Sequence, residues 1–339
     1  MKRIALAAVA MLAVAVPAAQ VDAWGSTGHR MIGVAAVRAL PDSLPAFIRG
    51  MDAAAEVGEI SREPDRSKGA GQPHDRERDT AHFVDLDDTG HVMTANGLSI
   101  DALPNLKSEY DAQLLAAGIK VDDAGYLPYA IMDGWQQLVR DFAYWRVLSA
   151  IEAREVDPAK RAWYREDRLR REALTRRDMG ILSHYVGDGS QPLHTSIHFN
   201  GWGDYPNPEG FTNSRQTHGT FEGGFVRRNV RLDMVEAAMA APMLDGFEMK
   251  RSIVSYLKTG VGQVVPFYTL EKAGAFAEGD PRGVVFATER VAAGAAELRD
   301  LTILAWQASE TATIGYPVVK VADVQSGAVD PWASLYGED

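Results

Sequence analysis

The alternation of apolar and polar positions along the chain predicts helices. From Gly28 to Leu40, apolar and small residues recur at helical spacing, and Pro41 closes the run. Residues 129 to 155 place Trp135, Leu138, Phe142, Trp145 and Leu148 on one side of a long amphipathic helix. Residues 159 to 187 predict one or two further helices, and two or three more fit 225 to 260 and 282 to 310. Residues 62 to 80 are polar and charged and hold Pro64, Gly69, Gly71 and Pro73, so they predict a loop. His82-Phe83-Val84-Asp85-Leu86 is a short ordered stretch in loop-like surroundings. Residues 199 to 217, with Gly, Asn and two Pro, predict a long loop of the kind that usually carries function. No pattern marks the segment beyond Pro317, and no internal repeat, low-complexity tract or strand series stands out. The expected architecture is all-α: a single mostly helical domain over residues 24–316, followed by a tail, 317–339, of unknown order.

Composition narrows this picture. The 339 residues are 46% hydrophobic and 24% charged, enough for a full core. A net charge of −11 argues against broad attraction to nucleic acid or anionic membrane, although bound metal ions would supply a local cationic site. The basic residues Arg165, Arg168, Arg170, Arg171, Arg176 and Arg177 are interleaved with Glu166, Asp167, Glu172 and Asp178, which predicts a solvated, ion-paired helix face. There is no cysteine, so no disulfide staples the fold and a metal site must use His, Asp, Glu or backbone groups, a donor set that suits zinc. At the amino terminus Lys2 and Arg3 precede an apolar run from Ile4 to Ala19, broken by Pro17, and then Val21-Asp22-Ala23. This is the pattern of a secretory signal cleaved after Ala23, with an apolar run short for a bilayer span of about 20 residues. The expected mature chain begins at Trp24 and is secreted or periplasmic.

The candidate chemistry lies in His184-Tyr-Val-Gly-Asp188-Gly-Ser-Gln-Pro-Leu-His194. On a helix, His184 and Asp188 share one face a turn apart and can share a metal. Gly187 and Gly189 are expected to loosen the backbone, Pro192 to end the helix, and His194 to project just beyond it. His218 and Glu222 repeat the four-residue spacing. One such pair is commonplace on surface helices; two, with His194 between them in a chain of eight histidines, point to a metal cluster. His29 alone reads equally as a capping or surface residue, and His82 beside Phe83 as a buried core histidine.

Three motifs carry a family resemblance: His184-x-x-x-Asp188-x-x-x-x-x-His194 with Gln-Pro-Leu before the last histidine, Trp24-Gly-Ser-Thr-Gly-His29 after the cleavage site, and His82-Phe-Val-Asp85. Through them most of the mature chain resembles the S1/P1-type single-strand-preferring nucleases and the zinc-dependent bacterial phospholipases C. The resemblance implies an all-helical fold with three zinc ions. It places one ion on an upstream Asp, His82, His184 and Asp188. A second falls on the amino nitrogen and carbonyl oxygen of Trp24, on His29 and on Asp188, which bridges. The third falls on His194, His218 and Glu222. Asp65 is the choice for the upstream ligand, by its distance before His82, with Asp79 the alternative. Asp85 matches a carboxylate near the substrate phosphate and takes an auxiliary catalytic role. Imidazole and carboxylate oxygen suit zinc, which activates water for in-line attack on phosphorus and neutralises the departing oxygen, so no nucleophilic Ser or Cys is needed. An α-amino group ligates only when unprotonated, so cleavage before Trp24 would be an activating step. His74, His91 and His198 take no assigned role, His198 being close enough to His194 in sequence to support a ligand or meet substrate.

The substrate divides the motifs. The Trp-x-x-x-x-His spacing is similar to the nucleases, whereas Thr217-His218-Gly-Thr-Phe221-Glu222 resembles the phospholipases. Nuclease-type Asn-Leu-His and Gly-Gly-Asn signatures are missing, as is cysteine. The expected function is a nuclease or 3′-nucleotidase acting on single-stranded nucleic acid or nucleotides. The alternatives are a phospholipase C acting on phospholipid head groups and an inactive zinc-binding module; no obligate protein partner is indicated. Trp202, Tyr205 and Phe211 in the 199–217 loop are the candidate substrate-binding residues, able to stack on a base, contact lipid or pack the loop.

Overall fold

The computed structural model describes residues 24–68, 71 and 78–337; the expected signal segment 1–23 and His74 lie outside the described residues. Helices of nine residues or more are α1 (Gly25–Arg38), α2 (Met51–Ile60), α3 (Lys107–Ala116), α4 (Leu127–Arg154), α5 (Pro158–Ser190), α6 (Met249–Val261), α7 (Val264–Lys272) and α8 (Pro281–Ala308). The two long helices α5 and α8 start alike. Asp157 and Asp280 accept hydrogen bonds from the first free backbone N–H groups, and Pro158 and Pro281 follow at the position where a missing N–H costs nothing. Helix α5 has 33 residues, about 50 Å of rise, and forms the spine of the molecule. It packs along α4 and is crossed by α1, α2 and α8. The core between them holds Ile32, Val57, Leu138, Phe142, Leu182, Val186, Val291 and Leu298, all buried.

Close approach of these helices depends on glycine. A Cβ on Gly180 would lie 2.5 Å from Ile60 Cγ2, one on Gly187 would lie 2.9 Å from Ile32 Cδ1 and 3.0 Å from His29 Nδ1, and one on Gly189 would lie 2.6 Å from Tyr256 Cε1. Gly187 and Gly189 therefore do not loosen α5, which runs unbroken to Ser190; they let α1 and α6 press against its last turns. Residues 159 to 187 form part of this one helix, not two, and helices α3 and α7 go beyond the periodic segments read from sequence.

The segment after Pro317 is ordered through residue 337. Strand β1 (Thr313–Ile314) pairs antiparallel with β2 (Val319–Lys320), so a boundary at residue 316 would cut a hairpin in two. Ile314, Val321 and Val324 form a second buried cluster with Val147, Leu148, Ile151 and Tyr164, at the end of the spine remote from the carboxyl end of α5. Trp332 closes it, stacked on Tyr336 at 4.5 Å and edge-on to Trp163 at 5.4 Å. Five of the six arginines on the arginine-rich face of α5, Arg165 excepted, are paired among the described residues as the interleaved acids predict, and Arg171 and Arg176 reach across to Asp141 and Glu56 of neighbouring helices. Among the described residues no helix is long and apolar enough to cross a membrane.

Gly187→Ala tests the close packing. The gain in helix propensity is worth at most about 1 kcal/mol, whereas the overpacking against Ile32 and the His29 ring costs about 1–3 kcal/mol. The variant is expected to melt lower than the parent and to bind less zinc in elemental analysis; an unchanged melting temperature would show that the contact relaxes freely.

Candidate metal centre

Five short pieces of chain converge at the carboxyl end of α5. The helix presents His184 and Asp188 one turn apart. Pro192 prevents its continuation, and a single 3-10 turn, Pro192–His194, swings His194 back over the end. His29 comes from the first turns of α1, Asp65 from the short helix Glu63–Arg66, and His82 from the turn Thr80–His82. His218 lies in the short helix Thr217–Gly219, which runs directly into a π-helical segment, Thr220–Val226, carrying Glu222. Wide turns of this kind are rare and concentrate at functional sites. His29, His82, His184, Asp188, His194, His218 and Glu222 are all buried.

Asp188 organises the group. Its Oδ2 lies 3.2 Å from His82 Nδ1 and 3.3 Å from His184 Nε2, while its Oδ1 lies 3.6 Å from His29 Nε2 and 3.7 Å from His194 Nδ1. Asp65 Oδ1 stands 3.8 Å from His82 Nδ1 and 3.7 Å from His184 Nε2, and its Oδ2 is 4.0 Å from His29 Nε2. On the far side, His218 Nε2 is 2.8 Å from Glu222 Oε1 and 3.1 Å from His194 Nε2. These atoms fall into three sets, each within 4.8 Å: His29, Asp65 and His184; His82, His184 and Asp188; and His194, His218 and Glu222. The last matches the sequence expectation residue for residue. The first two overlap more than expected, because His184 belongs to both and Asp65 also faces His29.

The donor chemistry fits metal ions. His184 Nδ1 donates to Ser61 O and His194 Nδ1 to His82 O, both at 2.7 Å, which leaves each Nε2 lone pair facing the cluster. Both ring nitrogens of His29, Asp188 Oδ1 and Glu222 Oε2 are buried without a hydrogen-bond partner. Buried polar atoms normally find partners, and so many orphans in one place mark a site whose partner is a cation. The buried acids and imidazoles are also strongly coupled electrostatically. Burial would raise the Asp188 and Glu222 carboxyls, but the imidazoles around them prevail: His184 and His194 hold Asp188 well below its usual range, and His218 and His194 bring Glu222 to about 2. Burial lowers His194, but Asp188 and Glu222 outweigh it and lift the imidazole to about 9, whereas burial dominates at His82 and brings it to about 3.

Three neighbours complete the cluster. Lys68 Nζ lies 2.9 Å from Asp65 Oδ1. Gln191 donates through its side-chain nitrogen to Glu222 Oε1 and accepts from Leu193 N at 2.8 Å, so it clamps Glu222 to the turn that carries His194. The Trp24 indole donates to Gly187 O at 2.7 Å and to Ser190 Oγ at 3.2 Å, and its ring lies 5.8 Å from Phe221. Trp24 thus ties the start of α1 to the turns bearing Asp188 and Glu222. The Gln191 signal was present in the Gln-Pro-Leu-His motif; Lys68 lies in a stretch of loop composition that gives no spacing cue.

A cavity of about 360 Å³ opens beside His194 and His218. Asp85 lines it, buried, with Oδ1 unpartnered. Phe83, Met93 and half-exposed Phe199 make its apolar walls, and Asp122 and Asp123 add further carboxylates. Met93 holds a left-handed backbone (φ 66°), which few side-chain-bearing residues adopt. These apolar walls went unread in the sequence because Phe and Met at loop positions look like ordinary core. Two of the three aromatic residues proposed from sequence as substrate contacts are instead packed inside their loop. Trp202 is buried, stacked on His198 at 3.7 Å and packed against Phe211 and Tyr268 at 4.7 and 5.3 Å; its indole donates to Pro206 O. Phe211 is buried against the same rings. Their faces are covered, which corrects the stacking expectation. Tyr205 is 38% exposed, edge-on to His198, and does not line the cavity. His198 bridges Trp202 O at 2.7 Å and Asp88 at 3.2 Å, holding the loop beside the site, and His91 bonds Thr89 away from the cluster.

Comparison with family models, curated proteins and solved structures gave no match. The class therefore rests on the molecule itself: a mostly helical single domain with three buried His/Asp/Glu clusters able to coordinate metal ions, which supports a metal-dependent hydrolytic function.

The choice between Asp65 and Asp79 is open to direct measurement. Asp65 belongs to a cluster, whereas half-buried Asp79 belongs to none among the described residues. Asp65→Asn is expected to lower bound zinc per chain, and Asp79→Asn to leave it unchanged; the reverse pattern would transfer the ligand to Asp79.

Proposed function

We propose that this chain is an exported zinc-dependent phosphoesterase of the S1/P1 nuclease type, cleaving single-stranded nucleic acid and 3′-nucleotides. The observation that carries the reading is Asp188, whose two oxygens face separate histidine sets beside a cavity lined by Asp85 and aromatic rings. Zinc held by these sets would act as a Lewis acid toward the phosphoryl group and lower the pKa of water. The protein groups do the positioning. His184 and His194, each anchored through Nδ1 to a backbone carbonyl, keep their Nε2 atoms aimed at the cluster. Gln191 holds Glu222 in register with His194 and His218. Phe83 and Phe199 offer ring faces to a planar base, and Asp122 and Asp123 offer acceptors to its amino groups. The buried Asp85 carboxyl, orphaned at Oδ1, stands where it can hold a proton against a phosphate oxygen.

The amine of Trp24 is the ninth ligand of this reading. Its support is positional: the Trp24 side chain is locked against Gly187, one residue before Asp188, and a Cβ on Gly25 would lie 3.6 Å from Glu222 O. A second reading, a phospholipase C, is favoured by the carboxylates around the cavity, which would equally suit a cationic head group.

Zinc-loaded mature protein is to be assayed on single-stranded DNA, a 3′-nucleotide and phosphatidylcholine. Hydrolysis of the first two supports the nuclease, turnover of the lipid alone the phospholipase, and turnover of none removes the enzyme reading. Asp188→Asn is expected to lower kcat by about 100-fold or more. Phe199→Ala, removing a stacking face worth about 1–3 kcal/mol, should raise KM for the nucleotide roughly tenfold with little change in kcat. One extra residue before Trp24 should sharply reduce both zinc content and activity; an extended form with full zinc and full activity would exclude the amine as a ligand.

A further inference from the structure

A second cavity, of about 540 Å³, lies at the end of α5 and shares no lining residue with the metal cluster. Helices α6 and α8 form its long walls, the 240–247 segment its rim, and Gly189 and Ser190 its floor. Facing helices in a core normally interdigitate large side chains. Here the facing positions are small: Ala293 and Ala296 on α8 against Ser252, Ser255 and Gly260 on α6. The gap is thus written into the residues on both sides.

Two charges line this gap without partners. Arg290 and Glu297 lie two turns apart on α8, and among the described residues neither makes a hydrogen bond or ion pair; Arg290 Nε is buried and unsatisfied. The other charged groups at the cavity are engaged or outside it. Arg251 donates to Gly246 O at 2.9 Å, Asp300 accepts from Met243 N at 3.0 Å and from Arg299, and Asp245 is exposed at the rim. Seven residues of helix separate the α-carbons of Arg290 and Glu297 by about 10 Å, too far for them to neutralise each other readily along the axis. Arg290 and Glu297 are half-buried, where an unpaired charge is less well solvated than in water, and opposite charges held apart in one cavity are satisfied together by a ligand carrying the complementary pair. Burial and the neighbouring Asp300 push the Glu297 carboxyl up to about 7, against the pull of Arg299.

We infer that this cavity binds a small zwitterion of about dipeptide length, its carboxylate on the Arg290 guanidinium and its ammonium on Glu297. The Tyr256 hydroxyl, which donates to Val186 O at 2.6 Å, and the hydroxyls of Ser252 and Ser255 supply polar contacts between the two ends. This site is independent of the phosphoesterase reading and stands whether or not that reading holds.

The test is calorimetric titration of the full zinc-loaded protein with L-alanyl-L-alanine, its N-acetyl form and its C-terminal amide. Saturable binding of the free dipeptide, weakened roughly tenfold or more by either blocking group, is expected. Glu297→Gln should weaken the free dipeptide by a similar factor and leave the N-acetyl form unaffected; Arg290→Gln should do the same with respect to the amide. Ala293→Leu, filling the gap from one wall, should abolish binding, with an unchanged melting temperature and zinc content showing that the fold persists. No saturable binding, or binding that none of the three variants alters, would overturn the inference; the second result would place the dipeptide outside this cavity.

Discussion

The packing around the carboxyl end of α5 answers to one demand, that Asp188 remain ionised while fully buried. A carboxylate removed from water costs several kcal/mol unless it is compensated. Here compensation comes from four imidazoles, His184 on the same helix, His194 on the turn that follows it, and His29 and His82 from two other segments: His29 and His194 face one oxygen, and His82 and His184 the other. That arrangement needs α1 to lie almost in contact with α5, which Gly187 permits, and it needs α5 to stop within a turn of Asp188, which Pro192 enforces. The aromatic anchor Trp24 secures the same junction by bonding the carbonyl one residue before Asp188. Fold and site are therefore the same packing problem at the end of one long helix.

The cluster is also asymmetric. Asp65 and Lys68 guard one flank, where the groups are enclosed; on the other, His194 and His218 border the open cavity with Asp85. On the reading proposed above, a substrate would enter past His218. The rings available to it are Phe83 and Phe199, since Trp202 and Phe211 spend their faces on His198 and Tyr268 in keeping the 199–217 loop closed.

Much of the cluster was legible along the chain because helical ligands obey a period. His184 with Asp188, and His218 with Glu222, announce themselves by four-residue spacing, and Pro192 explains His194. Asp65 was legible only as a carboxylate at a suitable distance before His82, since a loop ligand has no period. Lys68 had no signal of any kind. Trp202 misled for a physical reason: an aromatic ring in a Gly- and Pro-rich loop has the same appearance in sequence whether its faces are free or covered, and only contacts from residues 198 and 268 decide between the two.

The sequence by itself determined the helical class, the boundaries of the longest helices to within a few residues and the paired candidate donors His184 with Asp188 and His218 with Glu222, because these depend on local periodicity; His29, Asp65 and His82 stood out only through the family resemblance. The tertiary structure alone decided that α5 continues through two glycines, that the last residues build a hairpin and a second core, and which aromatic rings border the cavity. It also decided which buried charges have partners. Partnership is a property of distance between segments far apart in the chain, and no local pattern encodes it.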